Sequence, residues 1–217
     1  MSDDKTATKA PFLGNGDRVF VYGGGGHGRV AADTARRSGL RFEGFIDDDP
    51  ARGISREAFL AKARYERFAV ALGIGDNKAR QAIAALLKQN GAEITKLIDP
   101  SAIVSPSARI GAGAVVFANA VINDRAVVEE GAIVNSGAIV EHDCVVGAYA
   151  HIASNAALSG GSQVGAAALV GAGASLIPNA IVGEGAIVGA GAVVLDEIAP
   201  FATAIGVPAR PLLKKPF

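Results

Sequence analysis

A six-residue rhythm runs without insertion from Arg109 to Ile198, and it limits the possible folds more than any other feature. In each of the fifteen hexads the second position is a branched aliphatic residue. These residues are Ile110, Val116, Ile122, Val128, Val134, Val140, Val146, Ile152, Leu158, Val164, Val170, Leu176, Val182, Val188 and Val194. The sixth position is nearly always Ala, with Cys144 and Ser162 as small substitutes and Ile198 at the end. A fixed period kept this long is the signature of a solenoid.

The side chains explain why six residues would form one side of a coil. One aliphatic residue per short strand fills an interior, and a small residue at the bend lets the backbone turn without a clash. Three such strands close a triangle, and neighbouring coils satisfy their backbone groups in parallel ladders. The run therefore predicts a parallel β-solenoid of about five coils.

Upstream of the rhythm, short apolar runs alternate with segments of helical spacing. The strand candidates are Arg18 to Tyr22, Arg41 to Ile46, Arg67 to Leu72 and Glu93 to Ile98, and the helix candidates are residues 29–40 and Lys78 to Gln89. This alternation predicts a small parallel α/β domain. We place a loose tail at residues 1–17, the α/β domain at 18–99, the solenoid at 100–200 and a second tail at 201–217, with Asp99-Pro100 as the boundary.

Composition and charge disfavour several classes of protein. Lys and Arg total 21 and Asp and Glu total 21, so there is no basic excess for nucleic acid. Ala166 to Gly183 is apolar enough to mimic a membrane span, but it keeps the hexad register and lacks basic or aromatic flanks. The N-terminal residues lack the apolar core of a signal peptide. A single cysteine excludes an intramolecular disulfide framework. We therefore expect a cytoplasmic protein without membrane insertion.

A glycine cluster, Gly23 to Gly28 with His27 inside it, follows the first strand candidate. It satisfies G-x-G-x-x-G, and Asp47 stands about 20 residues further on, as in dinucleotide sites. A turn without side chains lets backbone amides and a helix N-terminus contact phosphate or sugar oxygens. The domain is short for both halves of a dinucleotide fold. Three interpretations stay open: a nucleotide or nucleotide-sugar site, an NAD site, and a purely structural turn.

His142 occupies the fourth position of its hexad, between the inward Val140 and Cys144, so we predict that it faces outward near a bend. Its neighbours Glu141 and Asp143 favour the imidazolium and can orient the ring, which suits a base that works near neutral pH. An exposed histidine without a function is the alternative. The inward position of Cys144 disfavours it as a nucleophile. The three histidines and one cysteine show no zinc-ligand spacing, so we predict no metal.

Five motifs together carry a family resemblance that covers the chain from about Arg18 onward. They are GGGGHG after the first strand candidate, DD after the second, GIGDN before a helix, VEHDC within the hexads, and the terminal GVPAR. In these the chain resembles the bacterial hexapeptide-repeat sugar acetyltransferases. That family includes N-acetyltransferases of nucleotide-linked 4-amino-4,6-dideoxyhexoses and sialic acid O-acetyltransferases. The resemblance implies a Rossmann-like parallel α/β domain, a left-handed parallel β-helix, and acetyl-CoA as co-substrate.

The resemblance also implies roles for individual residues. Matched by motif, His142 is the base, and Asp143 is the acidic residue that assists it, at a position where one close member of the family carries Glu. The residues matched to nucleotide-sugar contacts are Gly25, Gly26, His27, Asp47, Asp48 and Gly75. The residues matched to coenzyme A contacts are His151, Gly160, Ala172 and Ala190. Asn135 is the repeat-turn asparagine that we add as a substrate contact, although Asn at such positions commonly holds a bend.

The function implied is acetyl transfer from acetyl-CoA to the amine of a GDP- or UDP-linked amino sugar, feeding glycan, lipopolysaccharide or glycoprotein assembly. Overall resemblance favours a GDP-perosamine-like acceptor. His142 and His151 are predicted on different faces of the prism, where residues share a pocket most easily across a subunit junction, so we expect a cyclic homotrimer. The alternatives are O-acetylation of a sugar hydroxyl, an NAD-binding oxidoreductase and a non-catalytic scaffold.

Overall fold

A computed structural model describes residues 16–64 and 66–212 of this chain. It contains a small α/β domain followed by a left-handed parallel β-helix, which confirms the predicted fold class. The predicted N-terminal tail lies almost entirely outside the described residues, as do the last five residues of the predicted C-terminal tail.

The α/β domain is built on a four-stranded parallel sheet in the order β2-β1-β3-β4. Its strands are β1 (Arg18–Tyr22), β2 (Arg41–Ile46), β3 (Ala69–Leu72) and β4 (Glu93–Ile94). Its helices are α1 (Gly26–Arg37), α2 (Arg56–Ala63) and α3 (Asn77–Gln89). β1 and β2 have the predicted bounds, because both are apolar runs that end at turn residues. α2 was not predicted; it begins at the cap Ser55, whose hydroxyl accepts a hydrogen bond from the Ala58 amide at 3.2 Å.

One strand prediction was wrong. The run Glu93 to Ile98 does not form a single strand but splits into β4 and β5 (Leu97–Ile98), which belong to different sheets. The Thr95 amide still donates to Val70 of the α/β domain, whereas the Leu97 amide donates to Ala114 of the solenoid. The backbone therefore changes hydrogen-bonding partners within two residues.

The solenoid is a three-sided prism whose sides we call faces 1, 2 and 3. Face 1 contains β5, β8 (Val115–Val116), β11 (Ile133–Val134), β14 (His151–Ile152), β17 (Leu169–Val170) and β20 (Ile187–Val188). Face 2 contains β6 (Ile103–Val104), β9 (Val121–Ile122), β12 (Ile139–Val140), β15 (Ala157–Leu158), β18 (Ser175–Leu176) and β21 (Val193–Val194). Face 3 contains β7 (Arg109–Ile110), β10 (Val127–Val128), β13 (Val145–Val146), β16 (Gln163–Val164) and β19 (Ile181–Val182). β22 (Thr203–Ile205) and the antiparallel β23 (Arg210–Pro211) extend face 1.

Strands on one face pair in parallel at a register of one coil, as between Ile133 and His151. The second and sixth positions of the hexads point inward and form one continuous apolar core. Six strands stack on face 2, so the solenoid makes about six coils instead of the predicted five. The difference arises because residues 97–108 already follow the rhythm, with Ile98 and Val104 packed against the core.

The fifth position of each hexad turns the corner of the prism. Up to the last hexad, the non-glycine residues at this position have left-handed backbone conformations, among them Arg125 (φ 55°) and Asp143 (φ 59°). This conformation tilts the corner residues out of the prism, and it is one that Asn and Asp tolerate better than most residues. The fourth and fifth positions are thus where the solenoid presents polar side chains to solvent.

Arg80 of α3 ties the α/β domain to face 1. Its side chain is fully buried, and its guanidinium donates to the backbone oxygens of Gly131 and Tyr149, each at 2.7 Å. Burial lowers the pKa of Arg80 to about 10, so the group stays charged at pH 7. Together with the packing of α1 against face 1, this contact fixes the α/β domain on the prism.

Candidate active site

His142 lies at the corner between faces 2 and 3, after β12 and before β13. Its side chain is 60% exposed, as its hexad position predicts. Its Nδ1 is 2.8 Å from Oδ2 of Asp143. Because a carboxylate accepts the Nδ1 proton, the lone pair of the neutral ring is on Nε2, which points away from Asp143. This is the arrangement of a general base with an orienting carboxylate.

Asp143 is itself held from the coil below. Arg125 lies 18 residues earlier, and its Nε and one terminal nitrogen donate to Oδ1 at 2.7 Å and to Oδ2 at 3.1 Å. The hydrogen bonds from Arg125 and then from His142 lower the pKa of Asp143 to about 2. The carboxylate is therefore ionised throughout the physiological range.

Gly160 lies against the imidazole from the coil above. A Cβ added there would be 2.5 Å from Cε1 and 2.6 Å from Nε2 of His142. The ring therefore packs directly on the backbone, and any side chain at this position would displace it. The predicted base and the predicted coenzyme contact Gly160 are thus neighbours.

The other residues around His142 have separate partners. Glu141 accepts a hydrogen bond from the Asn123 side chain at 2.8 Å, so Asp143, not Glu141, is the carboxylate that orients the ring. Cys144 is fully buried with its Sγ 3.2 Å from the Ser159 oxygen, and burial raises the pKa of its thiol. A buried thiol of raised pKa is a poor nucleophile.

Some glycines of the cluster are required by close packing, whereas others have free space around them. Gly28 packs on the turn so closely that a Cβ would meet the Gly23 oxygen at 1.7 Å, which makes this glycine a requirement of the fold. Gly25 caps the N-terminus of α1 and Gly26 is its first residue. A Cβ on Gly25 would meet no atom within 4 Å. The space beside this helix N-terminus is therefore open, and an anionic group can approach it there.

Asp47 and Asp48 follow β2 at the same edge of the sheet. Asp47 accepts hydrogen bonds from the Gly24 amide at 2.7 Å and the Asp49 amide at 2.9 Å. Burial raises the pKa of Asp47, but these two bonds outweigh it and the pKa lies below the usual value. Asp47 thus holds the glycine turn in shape, whereas Asp48 is exposed.

His27, His151, Asn135 and Gly75 come together where the α/β domain meets face 1. The His27 and His151 rings are 6.0 Å apart, and His151 Nε2 is 3.1 Å from Asn135 Nδ2. A Cβ on Gly75 would be 3.6 Å from His27 Cγ. Burial lowers the pKa of both histidines to about 4, with a further lowering from nearby Arg80 and, for His151, from His27 as well. Both rings are therefore neutral at pH 7.

A cleft of about 490 Å³ opens beside this cluster. Its walls come from the loop after β3 and the start of α3 on one side, and from face 1 on the other. The lining residues include Gly75, Asn77, Lys78, His151, Leu169 and Ile187. Gly75 and His151, predicted as contacts of two different substrates, thus line one cleft.

Ala172 and Ala190 lie at a different corner, between faces 1 and 2, one coil apart. Both are exposed, and the Gly191 amide donates to the Ala172 oxygen at 2.8 Å. Within one chain the predicted site residues therefore form separate groups. The His142 corner, the His151 cluster, the glycine turn and the alanine column occupy four places on the molecule.

Sequence reasoning missed three residues of this region: Arg80, Arg125 and Phe117. The Phe117 ring packs edge-on against His27, with the ring centroids 5.1 Å apart. Arg125 had a detectable signal, since it precedes Asp143 by one coil and carries the opposite charge.

No group of His, Cys, Asp and Glu able to hold a metal occurs in residues 16–64 and 66–212. Among the helices described for this chain, none has the length and apolar character needed to cross a bilayer.

Comparisons with known proteins match both parts of the chain. The PglD N-terminal domain family matches residues 18–87, and the bacterial transferase hexapeptide (six repeats) family matches residues 161–196. PerB from Caulobacter crescentus, solved in complex with CoA and GDP-perosamine, is 37% identical with a TM-score of 0.86, over 92% of this chain and 98% of that one.

Two further structures extend the comparison. The acetyltransferase domain of PglB from Neisseria gonorrhoeae is 36% identical with a TM-score of 0.82, over 90% of this chain and 99% of that one. WeeI from Acinetobacter baumannii is 26% identical with a TM-score of 0.79, over 89% of this chain and 99% of that one. With its PglD-type N-terminal domain and its hexapeptide β-helix, the chain belongs to the hexapeptide-repeat sugar acetyltransferases and is an acyltransferase.

Proposed function

We propose that this chain transfers the acetyl group of acetyl-CoA to the amine of a nucleotide-linked amino sugar, with His142 as general base. The observation that carries the proposal is the exposed imidazole whose Nδ1 is bonded to Asp143 at 2.8 Å. Relatives of nearly the same length bind the matching co-substrates: PerB was solved with CoA and GDP-perosamine, and the PglB domain with acetyl coenzyme A. No metal takes part in this mechanism.

The reaction needs one proton acceptor and one leaving group. The sugar nitrogen attacks the thioester carbonyl while His142 Nε2 removes a proton from that nitrogen. A backbone N–H stabilises the oxyanion, the C–S bond then breaks, and the proton passes to the coenzyme thiolate. Asp143 stabilises the imidazolium while it exists. The buried Cys144 has no part in this sequence, so no acyl-enzyme forms.

The nucleotide sugar is proposed to bind at the carboxyl edge of the α/β sheet. The open helix end at Gly25 and Gly26 suits phosphate oxygens, and the exposed Asp48 can accept hydrogen bonds from a base or ribose. Asp47 acts by shaping the turn. His27, Gly75 and Asn135 stay assigned to the substrate side, as neighbours of the cleft. A GDP-linked acceptor is favoured by the likeness to PerB.

Coenzyme A is proposed to extend from the His142 corner past Gly160, with His151, Ala172 and Ala190 as further contacts. Gly160 supports this through its position against the imidazole ring, one coil above. These residues lie at separate places on one chain, and a cyclic homotrimer would let two subunits share a site. Exposed aliphatic residues on the outer surface of the prism, among them Ile139, Ile181 and Ile187, are suited to such a contact.

Thiol release from acetyl-CoA, followed with a thiol reagent, tests the class and the acceptor together. The panel contains GDP- and UDP-linked amino sugars and, as a hydroxyl acceptor, sialic acid. We expect turnover with an amino sugar, a loss of at least about 1000-fold in His142→Ala, and normal turnover in Ser175→Ala, an outward residue two coils above. Turnover that survives in His142→Ala would refute the base, and turnover with sialic acid alone would show O-acetylation.

Two finer predictions need separate measurements. Sedimentation at assay concentration tests the homotrimer, and a fully active monomer would refute it. Cytoplasmic location and a role in lipopolysaccharide or O-antigen synthesis stay predictions, which fractionation of cells and analysis of the glycans of a deletion strain would test.

A further inference from the structure

Arg125 reaches the catalytic corner from the coil below it. Its own backbone amide donates to the Ser107 hydroxyl at 3.0 Å, one coil further down. Its side chain then rises to Asp143, with Nε 2.7 Å from Oδ1 and a terminal nitrogen 3.1 Å from Oδ2. Each donor meets a different carboxylate oxygen, which is the fork geometry that only arginine provides.

Asp143 Oδ2 is shared between two donors. It is 3.1 Å from the Arg125 terminal nitrogen and 2.8 Å from His142 Nδ1. Rotation of the carboxylate toward or away from His142 would break a bond to Arg125. The orientation of the oxygen that holds the imidazole is therefore set by a residue that does not itself contact the ring.

We infer that Arg125 is a positioning residue for the acetyl transfer proposed above: it fixes the carboxylate of Asp143 and, through it, the orientation of the His142 ring. The inference rests on the proposed function, because it assigns Arg125 a part in the work of the same base. In this arrangement Arg125 acts through Asp143, to which its side chain donates two hydrogen bonds.

The surroundings of His142 point to the same route. The charged groups near the ring are Asp143 and Arg125, with Asp124 in contact with Arg125 at 3.4 Å and Glu141 bonded to Asn123. On the other side the ring packs on Gly160, which carries no charge. Asp143 is therefore the carboxylate through which Arg125 can orient the imidazole.

The test compares two single variants, Arg125→Gln and Arg125→Lys, with a double variant that combines Arg125→Gln with Asp143→Asn. For Arg125→Gln we expect kcat to fall about 10-fold with little change in the KM of the acceptor. Arg125→Lys keeps the charge but loses the fork geometry, so we expect kcat to fall in this variant as well. When Asp143 is already replaced by Asn, adding Arg125→Gln is expected to change kcat little.

A readout that does not need turnover completes the test. The Cε1 proton signal of His142 is assigned by its absence in His142→Ala, and at one fixed pH its chemical shift is expected to change in Arg125→Gln because the ring loses its fixed orientation. Arg67→Gln, at an exposed arginine paired with Glu93 on the α/β domain, is the matched control and should leave this chemical shift and the rates unchanged. A wild-type chemical shift and a wild-type kcat in Arg125→Gln would overturn the inference. The inference would also be overturned if Arg125→Gln lowered kcat by the same factor in the wild-type protein and in Asp143→Asn.

The outcomes separate this inference from the proposed function. If His142→Ala is inactive and Arg125→Gln behaves as wild type, only the role of Arg125 is wrong. If His142→Ala keeps full turnover, the proposed base is wrong, and the chemical shift of the His142 signal still shows whether Arg125 orients the imidazole.

Discussion

Replacing Arg80 with Met is expected to destabilise the protein by about 3 kcal/mol at the junction of its two domains. The guanidinium is the donor for the Gly131 and Tyr149 backbone oxygens, both at 2.7 Å and both on the solenoid. It also donates to acceptors on its own domain, the oxygens of Ile74, Gly75 and the Asn77 side chain. Each buried acceptor left without a donor costs about 1–3 kcal/mol, so the two solenoid oxygens alone cost about 2–6 kcal/mol.

An opposing effect reduces this sum. All of these acceptors are neutral oxygens, so Arg80 is a buried charge without a carboxylate partner, and its removal relieves part of a desolvation penalty. A value near the lower middle of the range, about 3 kcal/mol, follows.

Urea unfolding followed by far-UV circular dichroism at 222 nm measures the effect, because all described helices belong to the α/β domain. We expect the midpoint of the helical signal to fall by about 1 M urea in Arg80→Met. Arg67→Met is the control: its side chain is 80% exposed, and its ion pair with Glu93 is worth less than about 1 kcal/mol. A midpoint for Arg80→Met as close to wild type as that of the control would refute the reasoning.

Three further predictions follow from contacts of single residues. Gly28→Ala should abolish the helical signal, because its Cβ would lie 1.7 Å from the Gly23 oxygen. Gly25→Ala should fold and raise the KM of the nucleotide sugar about 10-fold, because a Cβ there meets no atom within 4 Å. A stably folded Gly28→Ala variant would contradict this prediction. Gly160→Ala, with its Cβ 2.5 Å from His142 Cε1, should lower kcat/KM about 100-fold while the melting temperature stays within a few degrees, and unchanged kinetics would count against the packing described. Because His27 and His151 have pKa values of about 4, the unfolded chain binds more protons below their ordinary pKa of 6.5, so the free energy of unfolding should fall as pH drops from about 6.5 to about 4. His151→Asn should make that fall shallower in urea titrations at several pH values, and a wild-type curve that is flat across this window would show the prediction to be wrong.

The solenoid could be predicted because its sequence requirement is strict. An inward residue such as Val146 is fully buried and has no alternative environment, so its identity repeats at every coil. The outward position of His142 follows from the same pattern. Residues 97–108 obey the pattern too, but they precede the run that was counted, and the first coil was therefore not included.

Contacts between the domains could not be predicted in the same way. Arg80 lies on a helix, where an arginine is most often exposed, and only the position of α3 against face 1 turns it into a fully buried donor. His27 and His151 are 124 residues apart in the chain, and their contact depends on how the α/β domain sits on the prism. No period or motif in the sequence encodes that placement.

The corner at His142 shows how a repetitive fold can bring reactive side chains together. Three successive coils contribute to it: Arg125 from the first, His142 and Asp143 from the second, and Gly160 from the third. The repeat specifies only the second and sixth positions, so the fourth and fifth can vary without cost to the core. Successive coils place equivalent positions directly above one another. Arg125, the His142–Asp143 pair and Gly160 are therefore neighbours in one stack. A change at Arg125 or Gly160 should therefore affect catalysis while the solenoid core stays as it is.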